Sequence, residues 1–294
     1  MADGNAQADI RGLDIDKLAK GFADEENIFK KFVTTATTSA RELRWYQKTS
    51  GFLDTTDSSG ITASKINNVA FKARPYAVEQ TWTRQTSYIR KYFVESPMIS
   101  IEDVKDTDID ILATNVRDLT RAVARKVDQR IIEVITENYT PVNINTAAAT
   151  GTGWDDTTNG NPVLDMLAAK QNIRSNGYNP EGAVCAMNSI EHKHLLNYLI
   201  TVKGSSIPQF SSDRVKDGVV MEMLGLNIVV SENVTTDYVV IFVPQRAATY
   251  KQFMPISATT KEDPMIGIKI RVAEEGEAIL TDPKAVHLIT DTIT

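Results

Sequence analysis

The chain has 294 residues, 42% of them hydrophobic and 24% charged, with a formal net charge of −6. This is the balance of an ordinary globular protein with room for two domains or one elaborated domain, and the acidic sign argues against a protein whose main task is to grip nucleic acid. The single cysteine, Cys185, excludes an intramolecular disulfide framework and suits assembly in a reducing compartment. The polar start lacks the apolar core of a signal peptide, and no run approaches the ~18–20 apolar residues of a membrane span, so no membrane partner is expected.

Residues 1 to about 12 are small and polar and read as disordered. From Leu13 to Phe32 the apolar members Leu13, Leu18, Phe22, Ile28, Phe29 and Phe32 sketch a weak amphipathic helix. Residues 34–65 bring little apolar content. So long an extended segment is anomalous inside a compact domain and suits an arm lying on another copy of the chain, and removal of residues 1–50 is expected to leave the core folded. Residues 66–101 are rich in Thr, Val, Tyr, Phe and Trp and read as a β ribbon. Over residues 81–88 neither face is strongly apolar, and such a ribbon needs a neighbour to pack against. Its basic residues Lys72, Arg74, Arg84, Arg90 and Lys91 are the candidate intersubunit contacts, because on a net-acidic protein they would meet carboxylates of a neighbouring copy.

Pro97 breaks the ribbon before a long helix, predicted over 106–137. Ile109, Leu112, Val116, Leu119, Val123, Val127, Ile131 and Val134 recur in steps of three and four, which places one stripe on a helix of roughly 45 Å. Asp106 or Asp108 can cap it, and Pro141 lies just past its end. Arg117, Arg121, Arg125 and Arg130 lie on the opposite, solvated face, the pattern of a strut laid across a sheet.

A Thr-, Asn- and Gly-rich loop over 140–162 leads into an α/β module. It comprises a helix over 162–174 ended by Gly177, a buried strand over 183–187, and a helix over 189–199 capped at Asn188 or Ser189. After a polar loop over 201–218, residues 226–230 and 238–243 read as doubly covered strands. The tail returns to β at 247–253, 266–272 and 286–289, with Gly276 as a turn.

Catalytic signatures are missing. His192 and His194 stand two apart on a helix and cannot share a metal face, so two exposed histidines are expected there. Gly151-Thr152-Gly153 lacks the third glycine and the strand–helix setting of a phosphate cradle. Asp155 and Asp156 sit in a loop with no partner acid or base, and Cys185 within an apolar strand reads as core filler. No catalytic residue, cofactor or metal is expected.

The order of parts, a polar arm, β ribbon, Pro break, long helix, α/β module and β tail, resembles the major capsid protein of tailed phages and archaeal head-tailed viruses, the Hong Kong 97-type fold. The stretches that carry the resemblance are Phe93 to Ser100 leading to Asp108-Ile109-Asp110, Val243 to Tyr250, and residues 267–290. It implies an α+β fold with an N-terminal arm over 1–51, an extended loop over 52–92, a peripheral domain over 93–141 and 244–294, and an axial domain over 142–243. It implies further a shell protein, not an enzyme, that self-assembles as pentamers and hexamers around double-stranded DNA in the host cytoplasm. Partners would be a separate scaffolding protein, since the short N-terminus holds no built-in one, with a portal and decoration proteins. An encapsulin-type nanocompartment shell is the nearest rival reading, and a motif-free α/β enzyme the second.

Overall fold

The computed structural model describes residue 19 and residues 28–48, 70–74, 82–102, 111–202 and 222–293. The caps expected at Asp106 and Asp108, the loop over 203–218 and most of the helix expected over 13–32 lie outside these residues. What is described of that last segment is Ala19, helical and fully buried, and residues 28–32 with a 3-10 turn at Phe29–Lys31.

Two sheets and a ribbon make up the β structure. One sheet runs β1 (Thr34–Thr37), β11 (Ala248–Asp263), β12 (Gly267–Leu280) and β4 (Arg90–Glu95), with β5 (Ile99–Ser100) on the end of β12. The other runs β6 (Asn145–Ala148), β13 (Val286–Thr290), β10 (Tyr238–Phe242), β7 (Val184–Met187), β9 (Leu226–Val230) and β8 (Glu222–Met223). The ribbon pairs β2 (Glu42–Lys48) with β3 (Trp82–Tyr88), so one of its strands comes from the segment expected to lie on another copy. β1, from the same segment, pairs parallel with β11 over Thr249 to Gln252.

The long helix, α1, spans Ile111–Ile135 and packs on β12, β11 and β4, the strut that the apolar periodicity predicts. Its buried face is wider than one stripe. Leu112, Val116 and Val123 meet Ile256, Ile270 and Val272 in one core, whereas Val127, Ile131, Ile132 and Ile135 enter a second with Phe29, Tyr250, Phe242 and Leu288. A 3.6-residue period drifts about 20° per heptad from a straight stripe, and the C-terminal half, covered from more than one side, buries what lies on both flanks. Most of the basic back is thereby drawn inward: Arg117, Arg121 and Arg130 are half-buried, while Arg125 remains exposed.

The α/β module matches its sequence signals closely. α2 (Pro162–Ser175) starts with Pro at its first turn and the Asn161 side chain accepting from the Leu164 N–H at 3.2 Å, and Gly177 follows at φ +85°. α3 (Ser189–Asn197) is capped by Asn188, which accepts from the Ile190 N–H at 3.3 Å. His192 and His194 are half-buried rather than exposed, because α3 lies flat against the module.

Gly276 is a correction. It lies inside β12 opposite Gln252 and Arg90, and the turn comes at residues 264–266 instead. The Tyr250 ring occupies the space where a Cβ at position 276 would stand, so the glycine serves close packing across the hairpin and not chain reversal.

β13 carries His287, 1% exposed, on the face that bears Ile289 and the module core, and neither ring nitrogen has a hydrogen-bond partner among the described residues. Burial holds its pKa down at about 4. The unfolded chain, with an ordinary value near 6.5, takes up a proton that the folded chain refuses, so stability falls as pH drops through the window from 6.5 to 4. Going from pH 7 to 4.5 should remove about 2–3 kcal/mol through this group. Thermal melts of His287→Leu should lack that increment of acid sensitivity relative to the parent, and equal pH slopes in the two proteins would refute the assignment.

Candidate functional site

The chemistry concentrated in this chain is electrostatic, and it lies where α1, the arm, β12 and the base of the ribbon meet. Asp128 sits on the buried face of α1 among Ala124, Ile131 and Ile132, fully inaccessible. Its carboxylate accepts from the backbone N–H groups of Ile28, of Phe29 at 3.2 Å and of Lys30 at 3.1 Å, capping the 3-10 turn from outside. Burial pushes the Asp128 pKa up against the pull of these donors. The arm is thus hung from the middle of the strut.

Two further carboxylates come from β12. Glu274, fully buried, receives the Lys30 ammonium at 2.6 Å and the Tyr250 hydroxyl at 3.1 Å. Glu277, 1% exposed, takes the Arg130 guanidinium through Nη2 at 2.6 Å and Nε at 3.1 Å, with Arg90 Nε at 3.2 Å on its other oxygen. Between them Tyr92 is half-buried, its pKa pushed up to about 12 by burial and the Glu277 charge. Trp45 Nε1 and Gln47 Nε2 of β2 both donate to the Leu280 carbonyl at 2.9 Å, which seats the ribbon beside Glu277. Arm, strut and hairpin are therefore joined through three buried acids, and the ribbon through the Leu280 carbonyl.

The five ribbon residues expected to act together do not share a site. Arg90 and Lys91 belong to β4, and both find carboxylates inside the chain, Arg90 on Glu277 and Lys91 on Glu275 at 3.5 Å. β4 pairs with β12 and not with the ribbon, so β12 supplies these partners, while the Arg90 and Lys91 side chains stay 54% and 58% exposed. Arg84 is exposed on the outer face of β3, beside Arg44, Tyr46 and Tyr88, while Lys72 and Arg74 are exposed in the short described segment 70–74. Residues 28–48, anchored by Asp128, Glu274, β11 and Leu280, belong to the chain's own core, against the expectation that they are dispensable for folding.

Sequence reasoning missed Asp128, Glu274 and Glu277. The signal was present as acids interrupting apolar faces, Asp128 beside Val127 and the Glu-Glu-Gly-Glu run inside a strand, but Lys30 and Glu274 stand 244 positions apart and no local rule pairs them. Among the described residues no group of three His, Cys, Asp or Glu side chains is placed to hold a metal ion. Cys185 is fully buried, its thiol pushed up to about 12 by burial, which makes it inert as a nucleophile.

Breaking one partner of a buried pair leaves an uncompensated charge, a loss of about 3–5 kcal/mol. Lys30→Met should therefore lower stability by about 3 kcal/mol and expose the arm to protease cleavage near residue 30. Combining it with Glu274→Gln should recover much of that loss, and strictly additive effects in the double-mutant cycle would show that the pair is not coupled.

Residues 98–289 match a family model described as phage capsid protein. No curated protein matches the chain. Among solved structures, a virus-like particle from Pyrococcus furiosus is similar over 94% of this chain and 98% of its own, with TM-score 0.63 and 10% identity. The capsid structure of cyanophage P-SCSP1u gives TM-score 0.63 at 13% identity, covering 90% of this chain and 88% of that one. A structure from Mycobacterium phage Che8 gives 0.59 at 15% identity, over 100% and 96%. Identities this low speak to the fold, which is the α+β, Hong Kong 97-type architecture that the order of parts led one to expect. With a family match that spans well over half of its length, the chain belongs to the phage capsid protein family.

Proposed function

We propose that this chain is the major capsid protein of a tailed virus, with a mechanical and not a catalytic role. Copies tile as pentamers and hexamers into a closed icosahedral shell around double-stranded DNA, assembled in the host cytoplasm with a separate scaffolding protein, a portal and decoration proteins. The observation that carries this reading is the phage capsid family match over residues 98–289.

The build of the ribbon supports it. Its inner face is seated on Leu280, whereas its outer face leaves Tyr46 64% and Tyr88 66% exposed beside Arg44 and Arg84. Tyrosine and arginine on a projecting surface are the residue types that carry interface energy. A second copy supplies acids to meet them, such as the exposed Glu262 and Asp263 at the tip of the β11–β12 hairpin. The contact surface assigned to neighbouring copies is therefore Lys72, Arg74 and Arg84. Arg90 and Lys91 hold the ribbon's base to its own chain.

Negative-stain microscopy of the purified protein should show capsomers or closed particles, and a clean monomer with no tendency to associate would count against the reading. Cargo separates a virion from a nanocompartment shell, DNA in the first and protein in the second. Arg84→Glu should leave the melting of unassembled protein within about 0.5 kcal/mol, as surface substitutions do. It should weaken assembly, most at low salt where like charges are least screened. Arg90→Glu should instead destabilise the chain itself by setting a carboxylate against Glu277. If Arg84→Glu unfolds the chain, the outer face is not an interface.

A further inference from the structure

The end of α1 holds an unusual piece of backbone. After Ile135 the residues Glu137, Asn138 and Tyr139 have φ of 50°, 56° and 57°, three consecutive non-glycine residues in the left-handed region. In that region Cβ crowds the following carbonyl oxygen, and L-residues other than glycine enter it singly and not in runs. The turn is nevertheless hydrogen-bonded, Tyr139 N–H to the Thr136 carbonyl at 3.0 Å and Thr140 N–H to that of Glu137 at 3.2 Å.

What holds it is supplied by the strained residues themselves. Glu137 Oε2 accepts from the N–H groups of Val142 at 2.6 Å, Asn143 at 2.8 Å and Ile144 at 3.3 Å, and Oε1 accepts from Asn143 Nδ2 at 2.8 Å. Tyr139 reaches the other way, its ring 4.7 Å from that of Tyr238 and its hydroxyl accepting from the Thr235 N–H at 2.9 Å. One side chain thus clamps the lead into β6, the other the lead into β10, and both strands belong to the six-stranded sheet. The competing conformation of residues 137–139 is right-handed continuation of α1, which Pro141 would stop near Thr140. Inverting the hand swings Glu137 and Tyr139 away from their present partners, so the two arrangements are discrete and exclude one another.

We propose that residues 137–139 are a two-state pivot between α1 and the six-stranded sheet, re-aiming that sheet against the strut when a copy is built into a shell. The second half of the statement rests on the capsid reading, since copies in non-identical surroundings of a closed shell need more than one such angle. Glu137 and Tyr139 are positioning residues of the left-handed state, and Asn138, between them, sets its relative cost.

Two variants test this by hydrogen exchange on the unassembled protein and by the size distribution of particles in electron micrographs. Glu137→Gln removes the charge from four hydrogen bonds and should speed exchange at Val142, Asn143 and Ile144 by about tenfold. A two-state pivot requires the Thr235 amide, bonded by Tyr139 and not by Glu137, to speed up with them, which a merely local cap would not do. Asn138→Gly makes the left-handed state cheaper and should slow the same four amides by about threefold. Amides in the middle of α1 should be unaffected by either change. Exchange at Thr235 that stays at the parental rate in Glu137→Gln, or a uniform acceleration along the chain, overturns the pivot. Shells of the two variants should differ from the parent in size distribution, and identical distributions overturn its role in assembly. If the parent forms no particles the capsid reading fails, and the exchange rates alone then decide whether the pivot exists.

Discussion

Burying charge on a strand in the centre of a sheet is expensive, and this chain does it twice within four residues of β12. Glu274 and Glu277 are tolerable only because Lys30, Arg130 and Arg90 arrive from three other parts of the chain to meet them. The requirement works in both directions. If the arm is not in place Glu274 is stranded, and if α1 shifts along the hairpin Glu277 loses Arg130. Apolar packing alone would let a straight helix slide over a sheet at little cost, whereas paired charges recognise one register. The three acids of the junction make the strut, the arm and the β11–β12 hairpin a single unit.

That unity suits a part that must carry load. A ribbon of two strands is marginal alone, and here its inner edge is tied to Leu280 through Trp45 and Gln47 while its outer face stays open. The six-stranded sheet is attached through the Glu137–Tyr139 turn, through the links from β10 to β11 and from β12 to β13, and through the shared apolar core around Val127, Ile131, Phe242 and Leu288. Apolar contacts are non-directional and accommodate a change of angle better than charge pairs do.

Much of this was legible in the residues taken alone. The strut followed from steps of three and four between Leu112 and Ile131, the α/β module from Asn161-Pro162, Gly177 and Asn188, and the buried strands from their unbroken apolar runs. These are local signals, because helix periodicity, caps and turn glycines act within a few residues of where they are written. The exposed outer position of Arg84 belongs with them, since alternation along a strand decides it up to the choice of face.

The tertiary structure decided what depends on partners far apart in the chain. It paired residues 42–48 with 82–88, where the sequence read residues 66–101 as a ribbon in their own right, and it gave Arg90 and Lys91 carboxylate partners on β12 of the same chain. Gly276 looked like a turn because glycine is most often used for φ, and only the Tyr250 ring lying against it shows that its missing side chain is what matters. Asp128, Glu274 and Glu277 look like surface acids in any local window. Their burial became possible through charges and N–H groups brought from up to 244 positions away, and a periodic pattern has no means of encoding a partner at that distance.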